Sequence, residues 1–297
     1  MSRYDIRLSI GYTYPGFVRD ARHILRIAPL KASGQRVERF TLDIKPTPRE
    51  TASERDFFGN RTDHVLIDEP HETLSVEMRA RVRVDRPLPA LGQTLHVETI
   101  RALARASRDS EGESPLHFLG AGRLVAPSPA VAAYCAEGLE PDQPIGEAML
   151  ALARRIRSEF RFEAGVTTIS TGVEETLTAR RGVCQDFSHL MIAGLRGLGL
   201  PAAYASGFLR TEPPPGQPRL EGADAMHAWV EVWAGPQMGW IGFDPTNGCF
   251  AGEDHVLVAR GRDYSDVAPI DGVLITSGPQ RHHHAVDMIP IGEAVRN

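Results

Sequence analysis

The strict alternation of apolar and polar residues in the first third of the chain is the feature that most restricts its fold. Tyr4, Ile6, Leu8, Ile10 and Tyr12 alternate with Asp5, Arg7 and Ser9, so the apolar set occupies one face of an extended strand. The pattern returns at Phe40, Leu42 and Ile44. It returns again at Leu74, Val76, Met78, Ala80, Val82 and Val84, where Glu77, Arg79, Arg81 and Arg83 supply the wet face. Strands with one wet face bury the other by packing as an antiparallel sandwich. Pro46-Thr47-Pro48 and Phe58-Gly59-Asn60 are the turns between them. This predicts an all-β unit that ends between residues 88 and 125, taken here as 1–125.

Beyond it the period changes. Ser128-Pro129 reads as an N-cap with proline at the first helical position, leading into Val131, Tyr134 and Cys135. Asp142 and Pro144 open a longer helix with Ile145, Met149, Leu152, Ile156 and Phe160 on one face. A second unit of mixed α and β elements is therefore expected over 126–297. The 297 residues, 42% of them hydrophobic, are enough for two cores. Glu212 to Pro218 reads as a stiff proline-rich surface loop.

Charge and cysteine usage remove several functions. With 33 Lys plus Arg against 38 Asp plus Glu, the formal charge is -5, which disfavours nucleic acid as a partner. No run of about 18 apolar residues and no signal-peptide core occurs, so neither a membrane span nor secretion is expected. Cys135, Cys184 and Cys249 form no C-x-x-C pair and are odd in number. A reducing, cytoplasmic setting fits them.

One cysteine stands in a reactive position. Arg181-Gly182-Val183-Cys184-Gln185-Asp186 leads into the helical stripe Leu190, Met191, Leu195 and Leu198, which ends at Gly199-Leu200-Pro201. Cys184 thus sits at or just before the first turn of a buried helix, where free N–H groups and the helix dipole favour a thiolate. A lone cysteine is more often a packing residue. Two further segments shift that balance: Met226-His227-Ala228-Trp229-Val230-Glu231-Val232-Trp233 and Trp240-Ile241-Gly242-Phe243-Asp244. If they pair as an antiparallel hairpin that matches Ala228, Val230 and Val232 with Ile241 and Phe243, then His227 and Asp244 share the opposite face. A slip of one residue would separate them. A base and an orienting carboxylate would then face a thiol, which is the logic of covalent acyl transfer. Trp229, Trp233 and Trp240 fall on the same hairpin face, where they either line a substrate groove or cover the sheet.

Other candidates fit less well. His189 lies five residues after Cys184, about 140° around a helix, and so points away from it; a local contact with Asp186 is expected instead. His282, His283 and His284 would alternate between strand faces, with no cluster of cysteines or carboxylates nearby in sequence, and are not read as a metal site. Walker, G-x-G-x-x-G, G-x-S-x-G and EF-hand patterns are missing from the sequence, so no cofactor or metal is expected.

RGVCQDFSHLMIAGLRGLGLPAAYASGFL, DAMHAWVEVW and GWIGFDPTNG closely resemble the bacterial transglutaminase-like superfamily, whose members are often labelled cysteine proteases. The early strands with LRIAPL and DFFGN resemble the β-sandwich region that precedes the family's catalytic core, and GRDYSDVAPIDGV resembles its C-terminal continuation. The resemblance implies an α+β protein in which an N-terminal antiparallel β-sandwich precedes a papain-like α+β core. It implies Cys184 as nucleophile, His227 as general base and acid, and Asp244 as orienting carboxylate. The substrate would be a peptide or protein amide, acylating the thiol to a thioester resolved by water or by an amine. The backbone N–H of Cys184 would be one oxyanion donor, with Tyr204 and Gln185 as candidates for a second. Hydrolysis is the leading expectation. Amine transfer that cross-links proteins, and a catalytically silent scaffold, are the alternatives. Oligomeric state is not legible in these residues.

Overall fold

The computed structural model describes residues 1–211 and 224–292; the expected proline-rich loop at Glu212–Pro218 lies outside the described residues. The first strand, β1 (Ser2–Leu25), runs for 24 residues, longer than one flat sheet accommodates. It is followed by β2 (Gln35–Lys45), β3 (Glu50–Arg55), β4 (Arg61–Ile67) and β5 (His71–Val84). Between Thr13 and Val18 the pairing of β1 shifts register, and Asp20 takes a left-handed φ of 52°. The strand therefore bends and serves two antiparallel sheets, the device by which β layers turn corners.

The expected alternation decides which face is buried. Ile6 pairs with Ala80, Leu8 with Met78 and Ile10 with Val76, and all six side chains are buried. The first half of β1 lies beside β5, which pairs with β2 on its other edge. The second half lies beside β4, which pairs with β3.

One helix arises where only strand and loop were expected. Residues 97–106 form α1 (Val97–Ala106), which buries Val97, Ile100 and Ala104. Their spacing of three and four is a helical signal, short enough to be overlooked between proline-rich stretches. Then come α2 (Pro129–Ala136) and α3 (Ile145–Glu159). Ser128 Oγ accepts from Val131 N–H at 3.3 Å, the expected cap. Short β6 (Arg161–Phe162) pairs in parallel with β7 (Arg181–Gly182) around α4 (Val173–Ala179).

The second unit is built around α5 (Cys184–Gly197), whose Phe187, Leu190, Met191, Ile192, Ala193 and Leu195 are all buried. It packs on a five-stranded antiparallel sheet of β8 (Ala202–Leu209), β9 (Ala225–Trp233), β10 (Trp240–Asp244), β11 (Cys249–Phe250) and β12 (His255–Gly261), in the order β11-β10-β9-β8-β12. No helix among the described residues is long and apolar enough to cross a membrane.

After a single turn, α6 (Tyr264–Val267), the chain returns to the N-terminal sheets. β13 (Ile270–Ile275) pairs with the second half of β1, and β14 (Arg281–Pro290) with the first half. These strands belong by sequence to the second unit, yet they complete the sheets of the first. The two units thus share a wall.

Close backbone approach under Trp229 depends on Gly207. A Cβ there would stand 2.1 Å from the Val256 carbonyl oxygen and 2.6 Å from the Trp229 ring, so β8, β12 and the indole cannot all keep their places. Gly207→Ala is expected to lower unfolding free energy in urea by about 2–3 kcal/mol. Gly120→Ala, where a Cβ meets open space, should be near neutral.

Candidate active site

Cys184 is the first residue of α5, preceded by Val183 in extended backbone. Asp186, buried in the first turn, reaches back to accept the Val183 N–H at 2.7 Å and the Thr167 hydroxyl at 2.7 Å. An acid at this position satisfies a donor that the helix leaves unpaired. The preceding Gly182 has to lack a side chain, because a Cβ would lie 2.7 Å from the Asp186 carboxylate. The expected Asp186–His189 contact is therefore not made. Asp186 is used as a cap, and His189 Nε2 accepts the Tyr264 N–H at 3.2 Å with its ring 5.1 Å from that of Tyr204. Burial pushes the His189 pKa down to about 4, so its ring is neutral near pH 7. It is not among the residues that line the cavity at Cys184.

The hairpin has the register its apolar faces demand: Val232 opposite Ile241 and Val230 opposite Phe243. His227 and Asp244 consequently share the other face, and His227 Nε2 donates to Asp244 Oδ2 at 2.8 Å. The Cys184 thiol and the same ring line one cavity, and Cys184 is among the groups that raise the His227 pKa; with Nε2 engaged by Asp244, Nδ1 is the ring nitrogen left for the sulfur. Three segments far apart in sequence are thus joined as thiol, imidazole and carboxylate.

Asp244 is fully buried and heavily solvated by protein. Besides His227 it accepts from His255 Nε2 at 3.1 Å, Asn247 Nδ2 at 2.6 Å, and the N–H groups of Thr246 at 2.8 Å and Asn247 at 3.1 Å. Burial alone would raise its pKa, but the donors from His227 and His255 outweigh it and hold the carboxyl well below the usual carboxylate range. Burial likewise opposes charge on His227, yet bonding to Asp244 and Cys184 prevails, and its pKa is pushed up to about 10. His255, where burial prevails over Asp244, has its pKa lowered. It remains neutral and donates through Nε2. Sequence reasoning passed over His255. Its only signal is that it opens the apolar run His255-Val256-Leu257-Val258, and what brings it to Asp244 is a strand at the far edge of the sheet.

The ligating atoms of His227, Asp244 and His255 lie within 4.8 Å of one another, the one such group among the described residues. Both imidazole Nε2 atoms point their protons at a single carboxylate oxygen, while His255 Nδ1 is buried without a partner among the described residues. A cation there would have to displace both.

Cys184 and His227 open into a cavity of about 300 Å³ that Gln185 and Tyr204 also line. Its far wall comes from the N-terminal sheet, through Ile10 and Tyr12 of β1 and His282 and His284 of β14. Burial raises the Tyr204 phenol well above its ordinary pKa, which keeps it a hydrogen-bond donor. The three consecutive histidines do alternate: His283 lies on the opposite side, against Gly11. The tryptophans are placed elsewhere. Trp229 stacks beside His227 with ring centroids 6.4 Å apart and meets His255 edge-on at 5.3 Å, buried with Leu30, Ala251 and Leu257. Trp240 donates its Nε1–H to the Glu113 carbonyl at 3.0 Å and packs on Phe118. Both line a separate cavity of about 410 Å³, and neither reaches the one at Cys184. Trp229 backs the imidazole because the hairpin face that carries His227 is covered by the segments around Leu30 and Ala251. Of the remaining cysteines, burial pushes the thiol of Cys135 up to about 12 and that of Cys249 up to about 11.

Comparison with known proteins bears on the family and the fold. The profile of the bacterial transglutaminase-like N-terminal region matches residues 4–83, and that of the transglutaminase-like superfamily matches residues 129–245. An uncharacterized protein of Mycobacterium tuberculosis is 37% identical over 298 residues, which cover 99% of this chain and 95% of the relative. One of Mycobacterium leprae is 30% identical, covering 94% and 95%. The fold is that of a crystal structure from Cytophaga hutchinsonii, proposed to be a cysteine protease, with a TM-score of 0.76 at 22% identity over 99% of this chain and 92% of that one.

The His227–Asp244 pair has a signature in stability. A His227 pKa raised from 6.5 to about 10 contributes stability that is whole below pH 6.5 and is lost as pH climbs toward 10. Depression of Asp244 contributes above pH 4 and is lost in acid. The urea stability gap between the wild type and His227→Gln should therefore be widest between about pH 4 and 6.5 and narrow steadily toward pH 10. A gap independent of pH would contradict the pairing.

Proposed function

The chain belongs to the transglutaminase-like superfamily, and from that premise we propose that it cleaves amide bonds by cysteine-dependent acyl transfer, with Cys184 as nucleophile, His227 as proton carrier and Asp244 as the group that orients His227. The observation that carries this reading is a helix-start thiol that shares a cavity with His227, whose ring is bonded in turn to a buried, ionised Asp244. The Cys184 sulfur, its proton held by His227, attacks the carbonyl carbon of a peptide or protein amide, forming a C–S bond while the carbonyl oxygen takes up negative charge. The backbone N–H of Cys184, unpaired at the helix start, supports that oxygen, with Tyr204 or Gln185 as the second donor. His227 delivers its proton to the departing nitrogen as the C–N bond breaks. The thioester then meets water, whose oxygen bonds the acyl carbon and whose proton passes to His227 as the C–S bond breaks, restoring the thiolate and the protonated imidazole.

Hydrolysis is the leading reading; water and an amine would reach the acyl group through the same cavity, and the acceptor decides between hydrolase and transferase. Asp244 keeps the imidazole oriented with Nδ1 toward sulfur and stabilises its cationic form. His255 is a positioning residue that acts through Asp244.

Acid-quenched mixtures of the protein with a broad peptide library are expected to show, by intact mass spectrometry, an acyl adduct on Cys184. That adduct should be absent from Cys184→Ala, whose folding is expected to be nearly intact, and should form at least about 100-fold more slowly in Asp244→Asn. Release of free acid in the presence of a fluorescent primary amine would establish the hydrolase, and labelled product the transferase. Turnover persisting in Cys184→Ala would overturn the assignment.

A further inference from the structure

The cavity of about 410 Å³ that Trp229 lines is separate from the one at Cys184, and both units of the chain wall it. Its buried end holds hydrogen-bond donors that the protein leaves unused. Trp229 is 1% exposed, and its Nε1–H meets no acceptor among the described residues. That edge of the indole lies beside Gly242, which also lines the cavity. A Cβ there would stand 3.1 Å from Trp229 Nε1 and 2.7 Å from the Ala251 Cβ, so only glycine keeps the approach to the N–H clear. Arg260 is 6% exposed. It donates from Nε to Glu231 and from Nη1 to Glu113 at 3.1 Å, and its Nη2 has no partner among the described residues. Arg86 donates from Nη1 to the carbonyls of Ala251, Gly252 and His255 and from Nη2 to Gln35 Oε1. All of these are neutral acceptors, and Arg86 forms no ion pair among the described residues.

Charge at this end does not balance. Two guanidinium groups, Arg86 and Arg260, share one buried carboxylate, that of Glu231. The other acids of the wall stand at its rim: Glu113 has 75% of its side chain exposed and Asp85 is exposed, so water and salt screen them. A largely buried cation without a counter-ion is costly, and one further carboxylate would complete the set. Guanidinium forks are matched to that group in shape as well as in charge. The remaining wall is flat and apolar, with Trp240, Phe250 and Pro87.

We propose that this cavity is a second binding site, for a small organic carboxylate with a flat apolar body. Arg86, Arg260 and the Trp229 N–H hold the carboxylate, and Trp240, Phe250 and Pro87 enclose the body. A few convergent polar groups at the end of an apolar cleft are the usual make-up of a small-molecule site. The proposal stands apart from the acyl-transfer reading, since none of its groups is asked to react. The site borders the indole whose ring lies 6.4 Å from that of His227 and 5.3 Å from that of His255, so its occupant is placed against the support of the imidazole.

Binding can be read without any activity. The chain has 3 tryptophans, so its indole N–H signals in a heteronuclear NMR spectrum are few, and that of Trp229 can be assigned through its backbone. Phenylacetate, as the probe, is expected to move the Trp229 signal saturably with a dissociation constant of about 1 mM, in keeping with a ligand of about ten heavy atoms. Phenylacetamide has the same shape without the charge and should bind at least about tenfold more weakly. This comparison uses the unaltered protein and depends on no variant folding. In Arg86→Met, whose fold the same spectrum checks, the two probes should bind alike. The proposal would be overturned by the lack of a saturable shift at Trp229 up to about 20 mM phenylacetate. Equal affinities for the two probes in the wild type, or an undiminished preference for the carboxylate in a folded Arg86→Met, would overturn it as well.

Discussion

A carboxylate with no access to water is the constraint on which the rest of this molecule depends. Burying an ionised group is tolerated only when its lone pairs are met by well-placed donors. Asp244 receives them from His227, His255, Asn247 and the turn that follows it. Each donor comes from a different piece of the architecture: β9, β12, and the tight turn leaving β10. The charge therefore holds the sheet together at one point while it holds a proton on His227. Removing one donor from such a group costs about 1–3 kcal/mol, so the stability of the sheet and the protonation of the imidazole are coupled rather than separate properties.

The second organising feature is the length of β1. A strand that bends between two sheets leaves each half with an open edge, and the chain fills both with β13 and β14 from its other end. This long-range closure brings the core face of the N-terminal sheet up to Cys184. Ile10, Tyr12, His282 and His284 then form a wall that the helix and hairpin alone do not possess. The N-terminal unit is in this sense part of the site.

Much of this was legible in the sequence because the relevant signals are local and periodic. Alternation in β1 and β5 predicts their buried faces, and the helical stripe after Cys184 predicts a thiol at a helix start. The matching apolar faces of Val230, Val232, Ile241 and Phe243 decide the parity that puts His227 beside Asp244, since a strand has only two faces. What escaped is non-local. His255 reaches Asp244 through a strand order in which β12 lies beyond β8, and no pattern within His255-Val256-Leu257 announces that. The return of residues 270–290 to β1 is equally invisible to period or spacing. The pairing of Asp186 with Val183 rather than His189 was readable, because a first-turn acid reaches back to the helix start more readily than forward along it. Trp229 and Trp240 were placed on the right face, but which cavity a face opens into depends on what covers it.

The central claim is that Cys184 and His227 form a reactive pair held by Asp244. Its most direct test is the rate of iodoacetamide alkylation of each cysteine, resolved by peptide mass spectrometry from about pH 5 to 9, in the wild type and in His227→Ala. Free thiols react in proportion to a titration near pH 8.5. The account predicts rapid labelling of Cys184 that persists well below pH 7 and is lost in His227→Ala, while Cys135 and Cys249 stay slow throughout. Slow labelling of Cys184 that rises only with an ordinary thiol titration, and is the same in both proteins, would contradict it.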